Sequence, residues 1–210
     1  ENGQSEPEVS LGYTRINEPN ESDPLDAHIF ELDNGLRVYL TENHEEPRFY
    51  AEIAVRAGSK HDPADGTGLA HYLEHLLFKG NENLGTLNYE AEKPYLDEIV
   101  ELYEQHFVET DEDRRAEIYS EINRVAQRAA EFAVPNEIDK LYNSMGGSGL
   151  NAHTWYEETV YKVGLPSNRL HQWAEIESDR FVNPVFRLFH TELETVYEEK
   201  NRTLDNGGRI

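Results

Sequence analysis

The 210-residue chain contains no cysteine. It can form no disulfide and offer no thiolate to a metal ion, and its redox compartment is not written in its composition. Basic charge is scarce as well. Only 6 Lys stand against 31 Glu, and the formal net charge is −23. A nucleic-acid binder needs a basic footprint for the phosphates, so that partner class is excluded, as is adsorption to an anionic membrane. The acidity suits solubility in a high-salt setting or, alternatively, attraction of basic peptides. No apolar run approaches the roughly 18 residues of a membrane-spanning helix. The chain also lacks an initiator Met, beginning Glu1-Asn-Gly. It is expected to be a processed product or a piece of a longer protein, bacterial and extracytoplasmic (periplasmic or secreted), with any signal peptide already removed.

What is present suffices for a globular fold. With 37% hydrophobic residues and several periodic segments, the chain can bury a sizeable core. Residues 1–26 carry Pro7, Pro19 and Pro24 without periodicity and read as a flexible lead-in to one domain over residues 27–210. His28-Ile-Phe-Glu-Leu-Asp and Leu36-Arg-Val-Tyr-Leu flank Asn34-Gly35, a turn that tight hairpins prefer. A third strand is expected from Arg48 to Gly58. Within residues 82–134, Tyr95, Ile99, Leu102 and Tyr103, then Ile118, Ile122, Val125 and Ala129, recur at helical spacing. They predict two amphipathic helices folded about Glu109-Thr-Asp-Glu-Asp113, a solvated insertion without chemistry. A short helix from Asn136 to Met145 follows, then strands over Leu150 to Trp155 and Glu158 to Gly164. Two more helices are expected, one through Leu170 to Phe181 and one from about Val185 to Asn201, ended by Asn206-Gly-Gly208. The expected class is α+β, a mostly antiparallel sheet with helices packed on it.

The chain is organised around Gly68-Leu-Ala-His71-Tyr-Leu-Glu74-His75-Leu-Leu-Phe-Lys-Gly80. On a helix, Glu74 lies about 60° to one side of His71 and His75 about 40° to the other, so the three share one arc of about 100°. Leu69, Leu73, Leu76 and Leu77 occupy the opposite side, with no charge before Lys79, so the helix is expected to be buried. Two imidazoles and a carboxylate on such a helix need partners, and a metal ion satisfies all three. Histidines four apart can bring two ring nitrogens to one ion. A catalytic zinc keeps three protein ligands and an open position. The third ligand is sought on the final helix, where Glu192 and Glu199 share one border of the stripe Phe189, Leu193, Val196, while Glu194 and Glu198 point elsewhere. Both remain candidates, and border glutamates paired with Arg or Lys are the plainer alternative.

The His71-x-x-Glu74-His75 stretch resembles the inverted-motif zinc peptidases, the inverzincins, and within them the insulinase/pitrilysin family, peptidase family M16. Three further segments are similar to that family in order. They are Phe49-Tyr-Ala-Glu-Ile-Ala-Val-Arg-Ala-Gly-Ser59, then Gly146-Gly-Ser-Gly-Leu-Asn151-Ala152-His-Thr154 with Thr159-Val-Tyr161, and Glu192-Leu-Glu-Thr-Val-Tyr-Glu-Glu199-Lys-Asn201. The resemblance implies the first, zinc-bearing domain of an M16 (LuxS/MPP-like) metallopeptidase with a helical-hairpin insertion over residues 82–134. It implies zinc ligands at His71, His75 and Glu199, and Glu74 as the general base toward a zinc-activated water. Glu192 would hold a ligand in place. Asn151 and Ala152 would lie on an edge strand to which a peptide substrate adds. His153 has no ligand role in the family, and His28, His44, His61, His106, His171 and His190 are left to surface or packing roles. The implied partner is a C-terminal half of the parent protein, or a second subunit, supplying an Arg and a Tyr to the scissile carbonyl. Without it the chain is expected to bind zinc yet cleave little. Two rivals stand beside this endopeptidase reading: a non-catalytic, scaffold-type member of the same family, and an acidic helical binding module whose His/Glu set is structural.

Overall fold

A computed structural model describes residues 12–18 and 22–205. The span expected as one domain divides after Pro47 into two compact units. The first is an antiparallel sheet in the order β1-β2-β3: β1 (Tyr13–Arg15), β2 (His28–Leu32) and β3 (Arg37–Leu40). The predicted hairpin forms β2 and β3, and the Asn34 side-chain oxygen accepts the Leu36 N–H at 3.0 Å to shape the turn. β1 corrects the expected lead-in. Tyr13 pairs with Leu32 and its ring meets Phe30 edge-on at 5.6 Å. Asn17 closes the connection by donating to the Ala27 carbonyl at 2.7 Å and accepting from the Ile29 N–H at 2.8 Å. Three residues are too few to show a period of two, so only cross-strand pairing reveals this strand. Residues 1–11, with Pro7, lie outside the described residues.

The second unit holds another antiparallel sheet, in the order β4-β6-β5: β4 (Arg48–Val55), β5 (Ser148–Thr154) and β6 (Thr159–Pro166). One sheet was expected, and the described residues form two. Central β6 presents Tyr161, Val163 and Leu165 on one face at the strand period of two, all at most 4% exposed. Val163 and Leu165 pack with Ile138 and Tyr142 of α4 (Glu137–Ser144), bordered by Trp173 and Ile176 of α5 (Leu170–Val182). Each fully buried side chain of this kind stabilises by roughly 1.5–3 kcal/mol.

The remaining helices of this unit are α1 (Leu69–Leu77), α2 (Tyr89–Val108), α3 (Glu112–Ala130) and α6 (Phe189–Asp205). α2 and α3 form the predicted hairpin. Asn88 caps α2 by accepting the Ala91 N–H at 3.1 Å, and Asp111 caps α3 by accepting the Arg114 N–H at 2.9 Å. α6 begins at Phe189 rather than near Val185, because Pro184 bridges to Asn81 and Leu188 turns to a φ of 55°. The expected terminator Asn206-Gly-Gly208 lies outside the described residues. Among those residues, no helix is long and apolar enough to cross a membrane.

Candidate metal centre

α1 is entered through Asp62, whose carboxylate accepts the N–H groups of Gly68 at 2.7 Å and Ala70 at 2.9 Å. A carboxylate on these otherwise orphaned donors anchors the first turn and suits the positive end of the helix. Tyr72 and Leu76 then pack against Val196 and Phe189 of α6, and the Tyr72 hydroxyl donates to the Phe189 carbonyl at 2.6 Å. α1 is less buried than its sequence predicts. Leu76 and Leu77 are buried, but Leu69 and Leu73 are 53% and 43% exposed. Periodicity defines the faces of a helix, not which of them a neighbour covers.

This docking brings His71, His75 and Glu199 together. The two Nε2 atoms are 3.2 Å apart, and Glu199 Oε2 lies 3.5 Å from that of His71 and 3.6 Å from that of His75. Ligands bound about 2.0–2.1 Å from one ion at tetrahedral angles are about 3.3 Å apart, so this donor set fits zinc. The three residues are only partly buried and line a cleft.

Glu192, the other candidate, sits behind His75 instead. Its Oε2 lies 3.4 Å from His75 Nδ1 and its Oε1 accepts from Lys79 Nζ at 2.7 Å. A proton on Nδ1 facing Glu192 leaves the Nε2 lone pair turned toward His71 and Glu199. The hydrogen bond to Glu192 lifts His75 above its ordinary pKa against the opposing effect of burial. Burial pushes the Glu192 carboxyl up, but the bonds from His75 and Lys79 outweigh it and hold the group below its usual value.

Glu74 is 7% exposed and accepts from the Thr154 hydroxyl at 2.6 Å. It lines a cleft of about 460 Å³ with His71, His75, Glu199, Asn151 and Ala152. Among the described residues β5 pairs on one side only, with β6, in a register that sets Asn151 opposite Lys162 and Ala152 opposite Tyr161. His153 and Asp139 also line the cleft. Three contributors escaped the sequence reading. Lys79 continues the spacing of four set by His71 and His75, a signal that was available. Thr154 stood in a segment similar to the family but without an assigned role, and Asp139 carried no signal; each reaches the cleft only through the packing of elements distant in sequence.

Comparison with known proteins places this domain in a family. The sequence model of the insulinase family (peptidase family M16) matches residues 37–96. A probable zinc protease, PqqL of Haemophilus influenzae, is 37% identical over 67 residues, covering 30% of this chain and 7% of that protein. Bovine cytochrome b-c1 complex subunit 1 is 34% identical over 58 residues, covering 28% and 12%. The crystal structure of a protease from Helicobacter pylori superposes with a TM-score of 0.58 at 21% identity, covering 86% of this chain and 32% of that one. The chain thus spans a small part of the proteins it matches. Sequence match and shared fold agree, and the chain carries a domain of the insulinase family, peptidase family M16.

Proposed function

We propose that this chain is the zinc-bearing domain of an endopeptidase that hydrolyses peptides held extended along β5. The observation that carries the proposal is the spacing of His71 Nε2, His75 Nε2 and Glu199 Oε2, edges of 3.2, 3.5 and 3.6 Å, beside a buried carboxylate in the same cleft. Zinc held by these three would act as a Lewis acid and acidify a water in its open position. Glu74 would take a proton from the water as the water oxygen bonds to the scissile carbonyl carbon, and would pass it to the amine nitrogen as the C–N bond breaks. The Thr154 hydroxyl fixes Glu74 Oε2, leaving Oε1 to carry the proton. Glu192 and Lys79 orient the His75 ring. The open edge of β5, at Asn151 and Ala152, offers main-chain hydrogen bonds to the substrate. The rest of the parent protein, or a partner subunit, supplies the other wall of the chamber.

The scaffold reading has one support: a matched relative is named as a subunit of the cytochrome b-c1 complex rather than as a protease. Family likeness alone therefore does not carry activity, and it is the arrangement of His71, His75 and Glu199 that supports the endopeptidase reading. Metal analysis after dialysis should find one zinc per chain, and His71→Ala should lose it. In the full-length parent, Glu74→Gln should keep zinc and bind peptide while losing about 10²–10⁴-fold in kcat. A chain without stoichiometric zinc, or normal turnover by Glu74→Gln, refutes the proposal.

A further inference from the structure

The helical hairpin holds a buried side chain, Arg187, just ahead of the helix that carries Glu199. Arg187 is 2% exposed and lies two residues ahead of α6. Its Nε and Nη2 donate to the two carboxylate oxygens of Glu92 at 3.0 and 3.1 Å. Nη2 also donates to the Asn81 carbonyl at 2.9 Å, and Nη1 to the carbonyls of Lys79 at 2.7 Å and Leu84 at 3.0 Å. Glu92 stands in the first turn of α2 and is fully buried. The loop can close on the guanidinium because Gly80 and Gly85 have φ of 98° and 86°. A Cβ at Gly80 would fall 2.1 Å from the Leu84 carbonyl oxygen, and one at Gly85 2.1 Å from that of Lys79.

The same residue reaches the ligands by two routes. Lys79, whose carbonyl Arg187 holds, binds Glu192 through its Nζ at 2.7 Å, and Glu192 faces His75. Leu188 follows Arg187 with a φ of 55°, and its carbonyl accepts the Glu192 N–H at 3.1 Å. A leucine adopts that left-handed conformation only where its surroundings impose it. The hairpin adds a parallel contact: the Tyr103 hydroxyl of α2 meets the His190 ring at 2.7 Å, and Tyr119 of α3 meets it edge-on at 5.8 Å.

We propose that Arg187, paired with Glu92, is a positioning residue of the metal centre that sets the separation of α1 from α6, and so of His71 and His75 from Glu199. The α2–α3 hairpin is then a strut that presents Glu92, not a passive insertion. The proposal rests on the zinc reading above.

The test measures zinc affinity by chelator competition at a temperature where every variant is fully folded, so stability alone does not enter. Arg187→Lys keeps the charge but cannot reach Glu92 and three carbonyls together. It should weaken zinc about ten-fold, the lower end for residues that support metal ligands. It should also alter the visible absorption of the cobalt-substituted protein, which reports the ligand geometry. Ile138→Val, in the core of α4 and β6, should lower the melting temperature with zinc affinity and cobalt spectrum unchanged. Should Arg187→Lys fail to fold, Glu92→Gln takes its place and should weaken zinc about three-fold with the same spectral change. Wild-type affinity and spectrum in the folded Arg187 or Glu92 variant overturn the positioning role while leaving the zinc site standing. So does equal weakening by Ile138→Val. Failure of the wild-type chain to bind zinc overturns both readings.

Discussion

Two charged clusters of the second unit, one around Arg187 and one around His75, solve the same problem in opposite ways. At Arg187 a fully buried carboxylate, Glu92, faces a guanidinium whose donors all find Glu92 or a backbone carbonyl. That cluster is complete as it stands. Around His75 three carboxylates, Glu74, Glu192 and Glu199, gather near two imidazoles, and Lys79 pairs with Glu192. Two Nε2 atoms 3.2 Å apart cannot both be satisfied by each other when both present lone pairs. A self-sufficient ion pair marks a structural joint. A cluster whose ligand atoms converge on one point marks a place for a cation.

The contrast can be broken from either side. The largest expected effect is at the complete cluster. Glu92→Ala leaves a buried guanidinium without its carboxylate and should destabilise the protein by about 3–5 kcal/mol in chemical denaturation. At the incomplete cluster, adding what is missing should stabilise. Free zinc at a hundred times its Kd should raise unfolding stability by about 2.7 kcal/mol, a gain abolished by chelation or by His75→Ala. Next in size, Thr154→Val removes a hydrogen bond from buried Glu74 and should destabilise by about 1–3 kcal/mol, with a lower kcat in the full-length parent.

The smallest effect is one of pH, in the metal-free protein. Glu192 raises the pKa of folded His75 above its unfolded value near 6.5. The folded state therefore holds the proton more tightly, and this contribution is complete below that value and disappears as pH rises through the folded pKa. The depressed Glu192 carboxyl acts in another window, losing its contribution only as pH falls through its lowered pKa. Glu192→Gln should therefore flatten the stability profile as pH rises above about 6.5 relative to wild type. An unchanged slope would show that Glu192 does not hold His75. Zinc binding runs the other way and weakens on acidification, since it requires a neutral imidazole.

Much of the fold was legible because it is local. The Asn34-Gly35 hairpin, the strand from Arg48 and the two long helices announce themselves within a window of a dozen residues. Strand β1 did not, because Tyr13–Arg15 is shorter than any period and owes its form to Leu32 and Phe30. The start of α6 was misplaced because Val185 and Phe186 are compatible with helix, and the bridge from Pro184 to Asn81 prevents it. The hairpin of α2 and α3 was legible as helices but not as a joint, since Glu92 among so many glutamates carries no mark of its burial.

The sequence by itself determined that His71, Glu74 and His75 share one face of a helix, for 3.6 residues per turn is a property of the backbone and needs no neighbour. It also placed Glu192 and Glu199 on one border of another helix. Which of them faces the two Nε2 atoms is set by the tertiary structure alone. The packing of Tyr72 and Leu76 on Val196 turns Glu199 to the Nε2 atoms and sets Glu192 behind Nδ1, one helix face used at two depths. The roles of Thr154, Lys79 and Arg187 were decided there as well. Each depends on a partner about 80 residues away or more, and such a partner is chosen by the free energy of the whole packed unit, not by the spacing of side chains along the chain.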